Sequence, residues 1–552
     1  MKKVSFSTLL KKIRLINLEY IFLLLLVAFS WWLMSSTFGY QDGDFIIASR
    51  ACSDFSAHIP LIRSFSVGDN SNLDYPQFAN AKMHYHYLFY FLVAMLEKLG
   101  LNIGLALNFL SVFGLSLMLW LIYKIGKLVS GRRKAGVLAV ILVMFNSSLT
   151  YVDFIRENWA WPDIWVNLFN LKEFVNFGPW NGDHISAFWN WNIWTNQRHL
   201  PFSFALMLIV IWPLLKAVFA KVEEDKKINL KIWLWLIWGI MILLPFFNQA
   251  AYVMSVIFIV FWFIFHPQLW AEYAYLYFFA LLYSVPSFVF FWGNSGVSLE
   301  FGYLAQEKSL LGFASYWWWN LGVYCFLGPV LLLTAKPALK KLGFIALVYF
   351  LLANSFRLSA DMINNHKLIN MMVIFVAWLA ADFFIKVWQK KLKLRWLLPV
   401  LFLSLTLSGI MDAFPIINDY RGRVPDYEKS RLGRWVVAET APDSIFLTTE
   451  FMYHPVNLAG RKTFIDYGYF AWSLGYPSSE RRQLLDKIYA AEVDPQEWCD
   501  LMQEQGIDYL AISLPPVDKI DIENSWIWQQ QPVFAQDQNH KVFSVAAICR
   551  TY

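Results

Sequence analysis

Cysteine and charge are both scarce in this sequence. Its 552 residues include four cysteines, and none of them lies in a CxxC or Cys/His spacing: Cys52, Cys325, Cys499 and Cys549. The chain therefore carries no sequence signature of a zinc or redox centre, and the scattered positions do not indicate a disulfide framework. Charged residues make up only 16% of the chain and hydrophobic residues 58%, a balance that is typical of a membrane protein.

Three further sequence patterns are absent, and their absence argues against a nucleic-acid-binding protein. The sequence has no glycine-rich phosphate-binding loop, no internal repeat and no basic patch of the kind that binds nucleic acid, so we expect no nucleic-acid partner. Several apolar runs instead approach or exceed the roughly 20 residues that cross a bilayer. We predict a polytopic α-helical membrane protein whose basic N-terminal segment leads into an uncleaved first span.

The basic residues orient these spans. Of the 33 lysines and arginines before position 414, 23 lie in five short segments: 1–14, 124–134, 216–231, 336–341 and 386–395. The positive-inside rule places these segments in the cytoplasm, so the large polar loops 39–102 and 151–200 face outward. We predict eleven spans, near residues 18–38, 103–123, 135–150, 201–220, 232–248, 250–266, 271–292, 315–334, 342–354, 367–387 and 396–413.

Residues 83–101 are apolar, but the charge pattern argues against their crossing the membrane. A crossing here would force the basic segment 124–134 outside, against the positive-inside rule. The uninterrupted apolar core of residues 83–101 is also too short to span the bilayer comfortably. We therefore predict an interfacial or re-entrant helix on the outward side.

From residue 414 the long apolar runs stop and the charge changes sign. Residues 414–552 contain 13 basic and 19 acidic residues, and strand-like and helix-like patterns alternate along them. The sequence predicts a transmembrane domain, 1–413, followed by a soluble extracytoplasmic α/β domain, 414–552, which ends in a β-hairpin over residues 532–548. We expect a multi-pass protein of the plasma (inner) membrane. Because the N-terminus is predicted to be cytoplasmic, eleven crossings leave the C-terminal domain on the extracytoplasmic side.

Polar residues that could carry chemistry lie on the predicted outward side. The stretch "RACSDFSAHIPLIRSFSVGDN" contains Asp54, His58 and Arg63, and Asp44 precedes it. The loop 151–200 and the start of the span near 367 add Asp153, Arg198, His199, His366 and Lys367. Carboxylates and cations beside aromatic surface suit a site that takes a lipid-borne polar substrate from the interface. Ordinary roles remain open: Asp54 and His58 could stabilise a local helix, Asp44 could cap a turn, and Lys367 could be a snorkelling anchor.

The order of several motifs resembles that of GT-C membrane glycosyltransferases. These motifs are "SDFSAHIPLIRSFSVGDN", "YPQFANAKMHYHYLFYFLVAMLEKLG", "WTNQRHLPF", "NNHKLIN" and "APDSIFLTT…HPVNLAGRKTFIDYGYFAW". The superfamily includes protein O-mannosyltransferases, aminoarabinose transferases and the catalytic oligosaccharyltransferase subunit. The resemblance implies an acidic residue and interfacial helices in the first outward loop, a polyprenyl-phosphate-linked sugar donor, and a glycan, lipid or protein acceptor.

The resemblance also implies roles for individual residues. Asp54 matches the first-loop acid and would be the general base of an inverting transfer, with Asp44 as its competitor. Arg63, Arg198, His366 and Lys367 would bind the donor phosphate, and His58, Asp153 and His199 would bind substrate. The motif "SDF" offers one carboxylate where relatives have a pair, so the sequence leaves open whether Asp54 holds a divalent cation (Mg²⁺ or Mn²⁺) or the enzyme uses no cofactor.

Two other classes of function fit the same composition. A transporter or flippase would also have many spans, but it would place ionisable residues in mid-span and broken helices in paired repeats. A non-catalytic membrane assembly protein would tolerate the loss of Asp54. Transfer of a labelled sugar from a polyprenyl carrier distinguishes the enzyme from both alternatives.

Overall fold

The structure is a computed structural model that describes residues 6–176, 187–220, 230–291, 297–390, 393–448, 452–489, 493–513, 525–536 and 539–552. Helices dominate the first three quarters of the chain. They are Phe6–Thr37 (α1), Cys52–Ser66 (α2), Leu88–Lys98 (α3), Ile103–Ser130 (α4), Arg133–Met144 (α5), Thr150–Glu157 (α6), Asp163–Phe169 (α7), Trp191–Asn196 (α8), His199–Phe219 (α9), Leu230–Phe247 (α10), Gln249–Phe265 (α11), Trp270–Phe290 (α12), Leu310–Leu321 (α13), Tyr324–Thr334 (α14), Pro337–Ser355 (α15), His366–Gln389 (α16), Leu398–Ser404 (α17), Leu407–Met411 (α18) and Ala413–Ile417 (α19).

Six helices in the described ranges are long and apolar enough to cross a membrane. They are Leu18–Thr37, Ile103–Ser130, His199–Phe219, Pro267–Phe290, Pro337–Ser355 and Met362–Gln389, and the number rises to eight if the bent pairs α13–α14 and α17–α19 each form one span. Helices α10 and α11 are apolar but shorter. The structure therefore supports a polytopic membrane protein, whereas the count of eleven spans stays a prediction.

Helix α4 illustrates how the sequence sets the ends of these helices. The side chain of Asn102 accepts a 2.8 Å hydrogen bond from the Leu105 amide and so caps the N-terminus. Gly131 ends the helix with a φ of 76°, a left-handed conformation that glycine adopts without steric cost. Apolar residues fill the turns between these two caps, and α4 packs against α1, α5 and α9.

The loop 39–102, called the first outward loop after its predicted side, is folded rather than extended. Strand Asp44–Ala48 (β2) lies between Phe38–Gln41 (β1) and Arg421–Pro425 (β7) and pairs antiparallel with both, and strands Asp74–Tyr75 (β3) and Phe78–Lys82 (β4) pair with each other. Helices α2 and α3 pack together between these strands and the membrane helices. The 11 residues of α3 reach about 16 Å at 1.5 Å per residue, which agrees with the prediction that residues 83–101 do not cross the bilayer.

The C-terminal part contains a four-stranded sheet in the order β11-β10-β8-β9. Its strands are Ile445–Thr448 (β8), Lys462–Thr463 (β9), Tyr509–Ser513 (β10) and His540–Ser544 (β11), with helices Arg431–Glu439 (α20), Pro455–Leu458 (α21), Gly468–Ser473 (α22), Ser478–Tyr489 (α23), Pro495–Glu504 (α24) and Val545–Ile548 (α25). Strand β8 pairs in parallel with β9 and β10, and β11 is antiparallel to β10. A short strand pair, Ser298–Leu299 (β5) with Phe356–Arg357 (β6), lies elsewhere, near α15.

The first outward loop and the C-terminal part share a core. Tyr75 and Phe78 of the loop are buried in the same apolar cluster as Phe464 and Trp498. Gly68 lies so close to the chain at residue 460 that a Cβ atom there would stand 2.0 Å from a backbone oxygen. The first loop is therefore held directly against the C-terminal part.

Two expectations about the C-terminal part are corrected. Cys499 and Cys549 form a disulfide with a Cα–Cα distance of 5.6 Å, although their spacing did not indicate one. The predicted terminal hairpin is reduced to a single bridge between Phe534 and Val542, because β11 pairs with β10 and the chain then turns into α25. The two cysteines of the disulfide are 50 residues apart in the sequence, and the fold brings them together, so their local spacing could not reveal the bond.

Candidate active site

One cavity lies where the first outward loop, the start of α16 and the C-terminal part meet. The lining comes from the first outward loop with α2, from the segments before α9 and α16 and the first turn of α16, and from α22 with the residue that follows it. The lining residues are Asp54, Ala57, His58, Leu61, Tyr75, Tyr85, Gln197, Asn364, Lys367, Phe470, Ser473 and Leu474. Three residues predicted from the sequence, Asp54, His58 and Lys367, are thus brought together.

Asp54 lies in the first turn of α2 and faces this cavity. Burial raises the pKa of its carboxyl to about 6, although a hydrogen bond from Asn196 and the nearby Lys367 ammonium oppose the rise. The carboxylate is therefore ionised at neutral pH and is more basic than an exposed aspartate. These are the properties required of a general base.

Lys367 lies in the first turn of α16 and is only 8% exposed. Its Nζ donates a 3.0 Å hydrogen bond to Asn364 Oδ1, and its positive charge acts on Asp54. An ammonium has three donors, so it can bind a further acceptor in the cavity. The cavity thus holds one anionic and one cationic side chain side by side.

The C-terminal part also lines the cavity. Phe470, Ser473 and Leu474 face the cavity from α22 and its end. The neighbouring Tyr469 donates a 2.8 Å hydrogen bond to Asp361, which lies just before the turn that leads into α16. The C-terminal part therefore completes the cavity.

A cluster of histidines and tyrosines lies behind the cavity wall. His86 Nε2 is 2.6 Å from His199 Nε2, and the Tyr90 hydroxyl is 2.8 Å from His199 Nδ1. His58 stacks on the Tyr90 ring with a centroid distance of 4.7 Å. Burial and the Arg198 guanidinium lower the pKa of His58 to about 3, so this ring is neutral at pH 7. His199 belongs to this cluster, and it is not among the described residues that line the cavity.

Arg198 is fully buried, and its guanidinium donors are used inside the protein. Nε donates to Thr195 O at 2.6 Å, and the terminal nitrogens donate to Met34 O, Asn108 Oδ1 and Thr37 Oγ1 at 2.7 to 3.0 Å. Arg198 thereby ties α1 and α4 to the start of α9. Its predicted contact with the donor phosphate remains a prediction.

Arg63 also lies away from the cavity. It forms ion pairs with Glu97 of α3 and with Asp426, which follows β7. Asp426 accepts a further hydrogen bond of 2.9 Å from the Tyr40 hydroxyl. This network joins the first outward loop to the segment that leads into the C-terminal part, and a phosphate contact of Arg63 stays a prediction.

The other predicted residues are dispersed. Asp44 lies in β2 and pairs with Lys429 at 2.9 Å and with Arg423 at 3.5 Å. Asp153 accepts a 2.9 Å hydrogen bond from Asn176. His366 is buried with Nδ1 2.9 Å from Asn370 Oδ1. None of the three is among the described residues that line the cavity.

The side chains around Asp54 do not fit a divalent cation. Throughout the described ranges, no group of three His, Cys, Asp or Glu side chains could hold a metal ion. The nearest partners of the Asp54 carboxylate are the Asn196 amide and the Lys367 ammonium. The nearby Lys367 ammonium supplies a positive charge to the carboxylate, and Asp54 is the one acidic side chain among the described lining residues.

Several cavity residues were not predicted from the sequence. Gln197 and Asn364 lie within the motifs "NQRH" and "NNHK", so the one signal that could have indicated them was their closeness in sequence to Arg198 and Lys367. Tyr75, Tyr85 and Phe470 carried no local signal, because aromatic residues occur throughout this chain. Their role follows only from the packing of the first loop against the C-terminal part.

Comparison with known proteins shows a likeness in fold. No protein-family model and no curated protein sequence matches the chain. ArnT from Cupriavidus metallidurans in the apo state is 11% identical over 96% of this chain and 98% of its own, with a TM-score of 0.50. The same protein bound to undecaprenyl phosphate gives 10% identity over the same shares and a TM-score of 0.49.

A structure of a second protein is also similar. The oligosaccharyltransferase AglB from Archaeoglobus fulgidus, in complex with an inhibitory peptide and a dolichol-phosphate, is 10% identical over 89% of this chain and 69% of its own, with a TM-score of 0.42. At these identities the likeness concerns the fold alone. The chain shares the fold of ArnT along nearly its whole length, as the resemblance to GT-C glycosyltransferases implied.

Proposed function

We propose that this protein is a membrane glycosyltransferase that moves a sugar from a polyprenyl-phosphate-linked donor to an acceptor on the extracytoplasmic side. The observation that carries the proposal is the cavity shared by Asp54 and Lys367. The reaction needs a base for the acceptor and a cation for the leaving phosphate, and this pair supplies both. The ArnT-like fold supports the same class of protein.

Asp54 is the general base of this mechanism. It takes the proton of an acceptor hydroxyl while the oxygen attacks the anomeric carbon of the donor sugar, and the bond from that carbon to the lipid phosphate breaks. The attack comes from the face opposite the phosphate, so the anomeric configuration inverts. A positioned base of this kind contributes about 10²- to 10⁴-fold in rate.

Lys367 stabilises the leaving group. Negative charge grows on the lipid phosphate as the glycosidic bond breaks, and a preorganised buried ammonium interacts with it more strongly than an exposed one would. The hydrogen bond to Asn364 holds the ammonium in place. In this mechanism the cation for the leaving phosphate is the Lys367 ammonium, and the assay with a chelator tests whether a divalent cation also takes part.

Two observations support the extracytoplasmic side. Lys216 and Lys386 lie in the last turns of α9 and α16, whose first turns adjoin the cavity, as the positive-inside rule requires for an outward site. The disulfide between Cys499 and Cys549 is typical of proteins in an oxidising compartment. The C-terminal part, which completes the cavity, therefore belongs outside.

Asp54→Asn and Asp44→Asn form the matched pair that tests the base. Sugar transfer is measured in nanodiscs with labelled sugars on undecaprenyl phosphate, with and without a chelator. We expect Asp54→Asn to lose about two orders of magnitude or more in turnover. Asp44→Asn should be mild, because this residue is paired with Lys429 away from the cavity. Full activity of Asp54→Asn would refute the assignment and direct attention to Asp44.

A further inference from the structure

Two polar atoms at the cavity have no hydrogen-bond partner among the described residues. They are His58 Nδ1 and Gln197 Oε1, and both are buried. Each belongs to a side chain that lines the cavity with Asp54. A buried polar atom is costly to leave without a hydrogen-bond partner, so unpartnered atoms in a ligand cavity indicate that the ligand provides the partner.

The chemistry of the two side chains defines that ligand. His58 is 3% exposed, is held against Tyr90 and is neutral, so its ring offers one N–H donor and one nitrogen acceptor. The side-chain oxygen of Gln197 can only accept. Hydroxyl groups both donate and accept, and they match this pair. The aromatic rings of Tyr85 and Phe470 flank the same space and suit the apolar faces of a sugar ring.

The charges of the cavity limit which sugar can bind. Lys367 is the one lysine or arginine among the described lining residues, and the proposed function assigns it to the phosphate. A carboxylate on the sugar would enter the same space as the Asp54 carboxylate without a second cation. Two like charges close together in a buried site repel strongly.

We propose that His58 and Gln197 bind hydroxyl groups of the donor's sugar and that this sugar carries no carboxylate. The inference rests on the proposed function and deepens it by assigning the sugar end of the donor site. Asp54 and Lys367 act at the reacting bond, whereas His58 and Gln197 determine which sugar is accepted.

The test measures binding, so that it does not depend on turnover. Protein in nanodiscs is titrated with undecaprenyl phosphate alone and with undecaprenyl phosphate that carries glucose, each of its four monodeoxy analogues (2-, 3-, 4- and 6-deoxy) or glucuronic acid. The variants are Gln197→Leu and His58→Phe, the second of which keeps a ring against Tyr90. Gln503→Leu, on the exposed face of α24, is the control.

We expect the wild-type protein to bind the glucose-bearing lipid at least about tenfold more tightly than the bare lipid or the glucuronic acid conjugate. Gln197→Leu and His58→Phe should each lose about tenfold or more for the glucose conjugate, with unchanged affinity for bare undecaprenyl phosphate. At least one deoxy analogue should bind the wild-type protein about tenfold more weakly than the glucose conjugate does. Gln197→Leu or His58→Phe should bind that analogue and the glucose conjugate with equal affinity, because the hydrogen bond is already absent.

Three results would overturn the inference. They are equal binding of bare and glucose-bearing lipid, tighter binding of the glucuronic acid conjugate, and an equal loss for all conjugates and the bare lipid in both variants. The first two leave the proposed function standing if the bare lipid binds, whereas failure of the wild-type protein to bind any of these lipids would refute both. If Gln197→Leu does not fold, the inference is tested by the same titrations on Gln197→Met and by the binding of the deoxy analogues to the wild-type protein.

Discussion

Tyr469 donates a 2.8 Å hydrogen bond to Asp361 and thereby joins helix α22 to the segment that leads into α16. The next residue after Tyr469 in the chain, Phe470, lines the cavity, and so does Lys367, which follows Asp361 by six residues. The bond therefore joins the helix that carries Phe470 to the segment that leads to Lys367. It is a contact between the C-terminal part and the membrane helices.

We predict that Tyr469→Phe lowers sugar transfer about three- to tenfold while the protein stays folded. The variant keeps the ring and removes one hydrogen bond to a charged group, which is worth roughly 1.5–3 kcal/mol at most. The loss should fall mainly on kcat, because the wall moves relative to Asp54. Tyr467→Phe, which removes a hydroxyl from a neighbouring tyrosine, is the control. Equal activity of the two variants would show that the contact does not shape the site.

The rate of transfer should depend on the ionisation of Asp54. Burial raises the pKa of Asp54 to about 6, and the base acts only when ionised. Activity should therefore be retained at pH 7 and fall about tenfold per pH unit below pH 6. The residual activity of Asp54→Asn should lack this acid limb. A midpoint near about pH 4, the ordinary value of an exposed aspartate, would contradict a buried base.

Much of the fold could be predicted because membrane spans leave a strong signal in composition. The spans predicted near 103–123, 201–220 and 367–387 correspond to long apolar helices, and strands and helices such as Ile445–Thr448 and Pro495–Glu504 follow their local patterns. The count of spans could not be fixed in the same way. Helices α13 and α14 are bent by 84° relative to each other, and such a bend is decided by packing rather than by hydropathy.

The site was predicted less completely than the fold. Asp54 and Lys367 could be found because an acid and a cation next to apolar segments are unusual, and the structure brings both to one cavity. Arg63 and Arg198 satisfied the same criterion, yet they lie in internal ion pairs and hydrogen bonds. A sequence does not distinguish a cation that binds substrate from one that ties helices together, because the partners come from distant parts of the chain.

We therefore expect Lys367→Met to impair lipid binding and Arg198→Gln to impair stability. Lys367→Met removes the cation of the cavity, and we expect about tenfold weaker binding of undecaprenyl phosphate with little change in thermal stability. Arg198→Gln leaves buried acceptors in α1 and α4 without donors and should lower the free energy of unfolding by about 3 kcal/mol. Thermal unfolding and lipid titration in detergent measure both quantities. Weaker lipid binding by a stable Arg198→Gln protein would restore its predicted role in phosphate binding.

The orientation of the chain can be tested with two introduced cysteines. Lys134→Cys lies in a basic segment predicted to be cytoplasmic, and Asn539→Cys lies in the C-terminal part; both positions are exposed. The free cysteines Cys52 and Cys325 are first replaced by serine, while the disulfide-bonded pair is retained. In intact cells an impermeant thiol reagent should label the cysteine at 539 and leave the one at 134 unlabelled until the membrane is permeabilised. Labelling at 134 alone would place the cavity on the cytoplasmic side and would contradict the proposed side of transfer, because the cavity is completed by the C-terminal part.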